Sequence, residues 1–287
     1  MEKLKVSSTC DAYIELLKDC LTASLYDESA WRVIEGGRTP DEKSLKHPLR
    51  FLTGFIRQRV VGLCRSQSVL LVRERPFNAS DRDEGRDWPC FGYTMVGRQR
   101  LDNVQACIED VLLNKVPGDL IETGAWRGGT TIFMRAVLKA HGVTDRTVWV
   151  ADSFEGLPVP ASDTDGDDLS AIKYLKVPIE KVRENFAKFD LLDDQVKFLK
   201  GYFCDTLPNA PIERLAILRL DGDLYSSTID SLRNLYHRVS PGGYVIVDDY
   251  HSWDSCRKAV TDFLGENKID AEIRTVADGA YWKVGGF

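Results

Sequence analysis

The chain has 287 residues, 43% hydrophobic and 29% charged, a balance typical of a globular protein that holds one large α/β domain with an extension. The formal net charge of -6 argues against a nucleic-acid binder that relies on bulk electrostatics. No apolar run approaches the ~20 residues of a membrane span, and the first ten residues lack the apolar core of a secretion signal, so we expect a cytoplasmic protein.

Seven cysteines lie at positions 10, 20, 64, 90, 107, 204 and 256. None forms a CxxC pair, which argues against a zinc site, and an odd count without local pattern indicates reduced thiols. Cys204 and Cys256 lie near the motifs described below. We interpret both as structural thiols rather than nucleophiles.

The first part of the chain, from about residue 8 to 110, carries a helical pattern and no clear strand. "CDAYIELLKDCLTASLYD" (10–27) and "LRFLTGFIRQRVVGLC" (49–64) both space their apolar residues as a helix does. The basic residues of the second stretch would also suit a membrane-surface helix, but we interpret it as a helix packed on its neighbour. "NASDRDEGRDWPC" (78–90) is predicted to be a mobile polar loop.

From about residue 116 the pattern alternates between strands and helices. The predicted strands are "GDLIET", "RTVWVADS", "QVKFLKG", "RLAILRLDGD" and "GGYVIVDDY", with helices between them and the strands "AEIRTVA" and "AYWKVGG" at the end. This alternation predicts parallel strands joined by right-handed crossovers, with ligands bound beyond their carboxyl ends. The acids at those ends are Glu122, Asp152, Asp221, Asp223, Asp248 and Asp249.

A glycine-rich turn, "IETGAWRGGTT" (121–131), follows the first of these strands. It matches neither the dinucleotide fingerprint GxGxxG nor the P-loop. Glu122 favours an ammonium group, Gly124 permits a tight turn, and the amides of the helix that begins near Gly128 and Gly129 favour a carboxylate. A ligand with an α-amino acid group satisfies both demands.

The residues at the next two strand ends indicate further parts of this ligand. Asp152 ends the second strand, where an acid accepts hydrogen bonds from ribose hydroxyls, although a helix cap is the alternative. After the third strand, Gly201 lets a base approach, Phe203 can flank a purine ring and Asp205 can accept from an exocyclic amine. An amino acid, a ribose and a purine in this order describe S-adenosylmethionine.

Three aspartates end the fourth and fifth strands. Asp221 and the pair Asp248 and Asp249 are expected on adjacent strands, where they repel one another unless a cation neutralises them. Carboxylate oxygens suit Mg²⁺, which would lower the pKa of a bound hydroxyl. A row of solvated helix caps is the alternative.

The stretch "SDTDGDDLS" (162–170) superficially resembles a calcium-binding loop. It lacks the glycine at the sixth position and has Tyr174 where the bidentate glutamate belongs. We therefore predict a mobile polar loop there.

Taken together, the motifs resemble those of the macrocin O-methyltransferase family. The resemblance covers residues 88–284 and is carried by "RDWPCFGYTMVGRQRLDNVQ", "DLIETGAWRGGTTIFMRAVL", "RTVWVADSFEGLP", "VRENFAKFDLLDDQVKFLKGYFCDTLP", "IERLAILRLDGDLYSSTIDSL" and "SPGGYVIVDDY". It implies a class I methyltransferase: an α/β, Rossmann-like, mostly parallel sheet with an antiparallel C-terminal hairpin and a helical N-terminal lid. Members methylate sugar hydroxyls of natural products such as macrolides and aminocoumarins.

The resemblance also implies site residues, domains and assembly. Residues 1–90 would form the lid or oligomerisation region of a homodimer or larger assembly, and residues 91–287 the donor-binding domain. The metal residues would be Asp221, Asp248 and Asp249. The donor residues would be Glu122, Thr123, Gly124, Asp152, Ser153 and Phe203, joined by Thr130 of the glycine turn and by Thr94 and Met95 of a segment that closes over the donor.

In the expected reaction, the acceptor hydroxyl loses its proton and attacks the sulfonium methyl in line. A sugar hydroxyl is far less acidic than a phenol, so a base and an ion must both help. Asp221 is one candidate base, because it lies within the acid cluster. His251, two residues after Asp249, is the other.

Three rival functions share part of this pattern. A phenol or catechol O-methyltransferase has the same donor site, but the catechol type carries a lysine where this chain has Leu224. A nicotinamide dehydrogenase would need the GxGxxG turn that is missing here. A non-catalytic donor-binding protein would not need Asp221, Asp248 and Asp249 together.

Overall fold

The computed structural model describes residues 8–25, 30–33, 59–64, 66–67, 69, 72–75, 77–87, 89, 91–170 and 172–285. Seven strands form its main sheet, in the order β5-β4-β3-β6-β7-β9-β8. They are β3 Asp119–Thr123, β4 Val148–Asp152, β5 Val196–Lys200, β6 Leu215–Leu220, β7 Val239–Val247, β8 Arg274–Val276 and β9 Gly279–Lys283.

Strand direction in this sheet changes only at its C-terminal side. The pairs β3/β4, β4/β5, β3/β6 and β6/β7 are parallel, whereas β9 runs antiparallel to both β7 and β8. The chain crosses from one half of the sheet to the other between β5 and β6, so the strand order reverses beside β3. This confirms the class I methyltransferase arrangement, including the C-terminal hairpin.

Helices cover both faces of the sheet. They are α1 Ser8–Thr22, α2 Ala79–Glu84, α3 Arg98–Leu113, α4 Gly129–Ala140, α5 Ile179–Lys188, α6 Phe203–Thr206, α7 Tyr225–Leu235 and α8 Asp254–Glu266. Successive strand residues point to opposite faces: Leu120 packs with side chains of α1, α3, α4 and α5, and Ile121 with those of α7 and α8. The central strands are therefore apolar on both faces, as buried parallel strands require.

The N-terminal helix belongs to this core. Ile14, Leu17 and Leu21 of α1 are buried in the same cluster as β3 and β4. The boundary expected at residue 90 and the homo-oligomer stay predictions. Of the helix expected over 49–64, only residues 59–64 are described, and they are helical. The rest lies outside the described residues.

Two short features of the N-terminal region differ from the sequence expectations. Strands β1 Ala30–Val33 and β2 Val72–Arg75 pair antiparallel where no strand was expected, because four residues are too few to show a period. Helix α2 replaces part of the loop expected over 78–90. Its signal was local, since the Asn78 side chain accepts from Ser80 N at 3.0 Å and Gly85 ends the helix at φ 73°.

Within the part of the chain that the structure covers, no helix has the length and apolar character needed to cross a bilayer. The cytoplasmic location stays a prediction.

The tips of β3 and β6 touch at Gly124, and this contact excludes any side chain. Gly124 has φ 99°, and a Cβ placed there would lie 1.6 Å from the Asp221 carbonyl oxygen. We expect Gly124→Ala to lower the free energy of unfolding by about 3 kcal/mol or more, because the strand tips must separate. Chemical denaturation of the variant measures this.

Gly265→Ala is the matched control for that substitution. Gly265 lies in α8 with open space around its Cβ position, so alanine should be neutral or slightly stabilising. Equal stability of the Gly124→Ala protein and the wild type would contradict the close contact.

Candidate active site

A cavity of about 710 Å³ opens at the carboxyl ends of the parallel strands. Its size suits a ligand of cofactor dimensions. Its wall contains all six acids expected at this edge: Glu122, Asp152, Asp221, Asp223, Asp248 and Asp249. The parallel order of the strands brings them together, as the sequence pattern predicts.

The structure brings most of the sequence-predicted site residues to this cavity. Those in its wall are Thr94, Met95, Glu122, Gly124, Thr130, Asp152, Ser153, Phe203, Asp221, Asp248 and Asp249. Four others lie outside the wall: Thr123, Gly201, Asp205 and His251.

The positions of these four follow from the backbone around them. Thr123 is buried on the face of β3 opposite to Glu122, where its hydroxyl accepts from Ser231 Oγ at 3.2 Å. The amide of Gly201 donates to the Asp152 carbonyl at 3.0 Å, and Asp205 is exposed on α6. The exposed His251 ring has its Nε2 3.2 Å from Thr275 Oγ1. Of the two candidate bases, Asp221 is the one in the cavity wall.

Asp152 holds the glycine turn against the tip of β4. Its Oδ2 accepts from the amides of Ala125 at 2.7 Å and Trp126 at 3.2 Å, and its Oδ1 accepts from Phe154 N at 2.6 Å. Burial raises the pKa of this carboxyl, and the three amides oppose the shift. Asp152 therefore caps no described helix: its amide partners fill both lone-pair sites of Oδ2 and one of Oδ1, which leaves one site on Oδ1 for a ribose hydroxyl.

An aromatic and cationic stack lies beside the glycine turn, and sequence reasoning missed it. The Arg127 guanidinium lies 4.2 Å from the Trp126 ring centroid and 5.2 Å from that of Tyr174. Trp126 Nε1 donates to the Tyr174 carbonyl at 2.9 Å, and the Tyr174 hydroxyl donates to the Pro89 carbonyl at 2.8 Å. The stack therefore ties the turn to the loop after β4 and to the segment before α3.

The three predicted metal residues converge. Asp221, Asp248 and Asp249 each offer a carboxylate oxygen, and these oxygens lie within 4.8 Å of one another. Asp249 Oδ2 also accepts from the Asp223 amide at 3.2 Å. The spacing is close enough for one cation to contact all three side chains.

Two arginines compensate the acids, and the sequence interpretation included neither. Arg219, fully buried in β6, bonds to Glu122 and Asp248 and donates to Asp221 Oδ2 at 2.8 Å. Arg100 of α3 bonds to the other oxygen of Asp248. A lone arginine in the apolar run "LAILRL" was the signal for Arg219, since a buried charge requires partners.

Carboxyl groups outnumber guanidinium groups at the site. Five carboxyl groups (Glu122, Asp221, Asp223, Asp248 and Asp249) face the two guanidinium groups. Burial raises the pKa of Glu122 to about 8 against the pull of Arg219, and burial together with the charge of Asp221 raises that of Asp223 to about 7. Burial and Asp223 raise the pKa of Asp249 well above its usual value. The cluster therefore favours a bound cation.

Glu122 also keeps one acceptor for a ligand. Its Oε1 bonds to Arg219, while its buried Oε2 has no hydrogen-bond partner among the described residues. Thr94 Oγ1 and Thr130 Oγ1, 3.3 Å apart, line the same part of the wall. A donor group such as an ammonium would satisfy the unpaired oxygen.

The cysteines near the site have the character of unreactive thiols. Cys256 is buried, and burial raises its pKa well above the usual value. Cys204 lies in the cavity wall and is exposed, not buried as a structural thiol would be, because it lies on the short helix α6 beyond the tip of β5. The partial desolvation of its thiol, and then the charge of Asp205, raise its pKa as well. A raised pKa disfavours the thiolate that a nucleophile needs.

The loop after β4 forms an apolar wall that one buried carboxylate anchors. Leu157, Val159, Leu169 and Ile172 of this loop line the cavity. Asp165, 2% exposed, accepts from Ser226 N of α7 at 2.7 Å and from Ala161 N at 2.8 Å. Asp165 thus caps the start of α7 and fixes the loop to it, so the mobile polar loop that the sequence predicts here is an anchored one.

Comparison with known proteins relates this arrangement to one family. The profile described as Macrocin-O-methyltransferase (TylF) matches residues 10–284. The chain is 55% identical over 212 residues to the 8-demethyl-8-(2,3-dimethoxy-alpha-L-rhamnosyl)-tetracenomycin-C 4'-O-methyltransferase of Streptomyces olivaceus, which covers 72% of this chain and 81% of that protein.

A second relative and a solved structure agree with this match. Demethyldecarbamoylnovobiocin O-methyltransferase of Streptomyces niveus is 53% identical over 217 residues, covering 74% of this chain and 83% of that protein. The structure of the O-methyltransferase NovP superposes with a TM-score of 0.80 at 42% identity, covering 96% of this chain and 100% of that one.

The acid cluster makes the stability of the free protein depend on pH. Glu122 and Asp223 have pKa values of about 8 and about 7 in the folded state, above the ordinary 4.5 and 3.8. The folded state therefore keeps protons that the unfolded state has lost, so stability falls as pH rises through this window and levels above about pH 8. In EDTA, we expect the thermal midpoint to drop by about 5 °C or more between about pH 5 and pH 8.

Two variants attribute this slope to the cluster. Asp223→Asn should reduce the pH dependence of the thermal midpoint below about pH 7. Asp205→Asn, at an exposed position, should leave this dependence unchanged. A midpoint that rises with pH in the wild type would contradict the excess of buried carboxyl groups.

Asp165 provides a second test, of the loop that it anchors. Asp165→Ala removes both acceptors, so the loop should detach and trypsin should cleave at Lys173 or Lys176 at least ~10-fold faster, as local opening becomes easier. Asp168→Ala, an exposed change on the same loop, is the control. Equal cleavage rates for the two variants would rule out the anchor.

Proposed function

The chain belongs to the macrocin O-methyltransferase family, and from this membership we propose an S-adenosylmethionine-dependent, Mg²⁺-assisted O-methyltransferase that acts on a sugar hydroxyl of a glycosylated natural product in antibiotic biosynthesis. The observation that carries the proposal is that one cavity holds two sets of residues side by side. The residues suited to the methyl donor, among them Glu122 and Asp152, adjoin the acid cluster of Asp221, Asp248 and Asp249. A methyl donor and an activated hydroxyl must meet in this way.

The donor half of the cavity suits S-adenosylmethionine, which supplies a methyl group on a sulfonium centre. The unpaired Oε2 of Glu122 accepts from the ammonium group. The Gly128 and Gly129 amides, which the sequence pattern assigned to the carboxylate, donate instead to the carbonyls of Ala125 and Tyr93, so the start of α4 favours the carboxylate through the helix dipole.

Asp152 accepts from a ribose hydroxyl with the one lone-pair site left on Oδ1, and Phe203 flanks the base. Met95 and Thr94 close this half from the side of α3.

The acceptor half suits a hard divalent cation. Carboxylate oxygens from three side chains lie within 4.8 Å of one another. Carboxyl groups are in excess there and their pKa values are raised, and a bound cation would offset the repulsion among the carboxylates. Asp221, Asp248 and Asp249 would hold it. When bound, it supplies a positive charge that makes an alcohol proton easier to remove.

Asp221 is the proposed general base. Its side chain is 27% exposed, while that of Asp248 is 7% exposed, so Asp221 presents the more accessible carboxylate to the cavity. Arg219 donates to its Oδ2 and keeps the carboxylate oriented. Burial, and then the charge of Asp248, raise its pKa, which improves its ability to accept a proton.

The apolar loop wall suits the aglycone of a glycoside. One relative is named as the 4'-O-methyltransferase of a rhamnosyl tetracenomycin and the other as the O-methyltransferase of demethyldecarbamoylnovobiocin. Leu157, Val159 and Leu169 offer a surface for the apolar part of a glycoside, with the acid cluster at the sugar. Leu224, buried where catechol-type enzymes have lysine, disfavours a catechol acceptor.

Asp221→Asn tests the proposed chemistry. The asparagine cannot accept the hydroxyl proton, so turnover should fall at least ~100-fold, while S-adenosylhomocysteine binds within about threefold of wild type. Mass spectrometry measures methyl gain on demethylated novobiocin- and tetracenomycin-type glycosides with S-adenosylmethionine and MgCl₂, and calorimetry measures binding. Full turnover by the variant would refute this assignment.

A further inference from the structure

Arg100 joins the two halves of the cavity through one guanidinium group. Its Nη1 bonds to Asp248 Oδ2 and approaches the Asp248 carbonyl at 3.4 Å. Its Nε donates to the Val96 carbonyl at 2.6 Å, and its Nη2 lies 3.5 Å from the carbonyls of Gly85 and Met95. The side chain therefore contacts both the acid cluster and the turn that carries Met95.

The backbone around Arg100 is shaped to receive it. A Cβ on Gly85 would lie 2.3 Å from Arg100 Nη2, and a Cβ on Gly97 would lie 2.3 Å from Gly85 N. Both glycines have positive φ, 73° and 75°. The chain thus passes close to the guanidinium at Gly85, and Gly97 packs against the other side of Gly85, so only glycine fits at either point.

The turn held by Arg100 is the part of the wall that faces the donor half. Thr94, Met95 and Val96 line the cavity, and the Val96 amide donates to Thr94 Oγ1 at 3.2 Å. The Tyr93 carbonyl accepts from the Gly129 amide at the start of α4 at 3.0 Å, and the Tyr93 amide donates to Leu21 of α1. These contacts fix one side of the turn. Arg100 is the contact that ties it to the acid cluster.

Asp248 depends on the same guanidinium. One of its oxygens bonds to Arg219 and the other to Arg100, so two cations compensate a carboxylate that is nearly buried. Without Arg100, Asp248 would face Asp221 and Asp249 with one partner fewer, and its side chain would rotate away from its present position. The turn and the carboxylate would then lose their positions together.

We propose that Arg100 is a positioning residue that sets the donor-facing turn 94–97 and the Asp248 carboxylate together, so that changes at Asp248 alter donor binding. This rests on the proposed function for the identity of the donor. The linkage itself concerns the chain's own contacts, and it therefore has a readout that needs no ligand.

Calorimetry with S-adenosylhomocysteine in EDTA is the first test. We expect R100Q to bind roughly tenfold more weakly, as for the loss of a charged hydrogen bond, and D248N to bind more weakly as well. The double variant should bind within about threefold of R100Q, because the two residues act through one contact. Wild-type affinity in R100Q, or fully additive losses, would overturn the proposal.

Backbone amide exchange of the free protein is the second test. Peptides covering residues 93–97 should exchange faster in R100Q and in D248N, although Asp248 follows β7, far from this turn along the chain. R135Q is the matched control: Arg135 is another buried arginine, 5% exposed, paired with Asp193 by a 2.6 Å bond, and it lies outside the cavity wall. Unchanged exchange in D248N, or an equal increase in R135Q, would overturn the proposal.

A variant that does not fold and a wild type that does not bind the ligand lead to different conclusions. If R100Q does not fold by circular dichroism, R100K replaces it: an ammonium compensates Asp248 but cannot also reach the Val96 carbonyl, so weaker binding and faster exchange are still expected. Wild-type behaviour of R100K would then count against the proposal. If the wild type binds no S-adenosylhomocysteine, the proposed function fails, and the exchange experiment still decides the role of Arg100.

Discussion

The buried guanidinium of Arg219 is the interaction on which the site depends. It lies in the middle of the central strand pair and bonds to carboxylates from three strand ends, Glu122, Asp221 and Asp248. Acids gathered at one sheet edge repel one another, and burial increases the cost of each charge. A fixed cation beneath them lets the cluster form while leaving negative charge to act on ligands above.

Close packing of strand tips then converts a sheet edge into a cavity. Gly124 lets β3 approach the Asp221 carbonyl, and Asp152 draws the glycine turn onto β4. The loop after β4 closes the opposite side because Asp165 binds the first turn of α7. Each of these contacts depends on one polar group or on the absence of a side chain, so a few residues of the scaffold determine the shape of the cavity.

These constraints divide the cavity between a part built on regular elements and a part built on a loop. The donor wall and acid cluster lie at strand ends and at the starts of helices, where backbone hydrogen bonds hold them. The apolar wall is carried by the loop after β4, which Asp165 joins to α7 and Tyr174 joins to the glycine turn. Loops tolerate change better than the elements that they connect, so this wall is the part of the cavity that substitutions can reshape most easily.

Much of the fold and site followed from the sequence, because alternation and strand-end acids are local patterns. The parallel sheet, the two C-terminal strands, the acids at one edge and the family resemblance were all readable from consecutive residues, and the resemblance implied that the two C-terminal strands form an antiparallel hairpin. Only the tertiary structure decided which side chains meet across the chain. It placed Thr123 on the far face of its strand and His251 away from the cavity, and it joined Arg100 to Asp248 across 148 positions. Periodicity reports which face a residue takes within its own element, whereas the partners that distant elements bring to it are not encoded locally. The arginine in the apolar run "LAILRL" therefore indicated a buried charge without its partners, and Arg100 had no local signal at all.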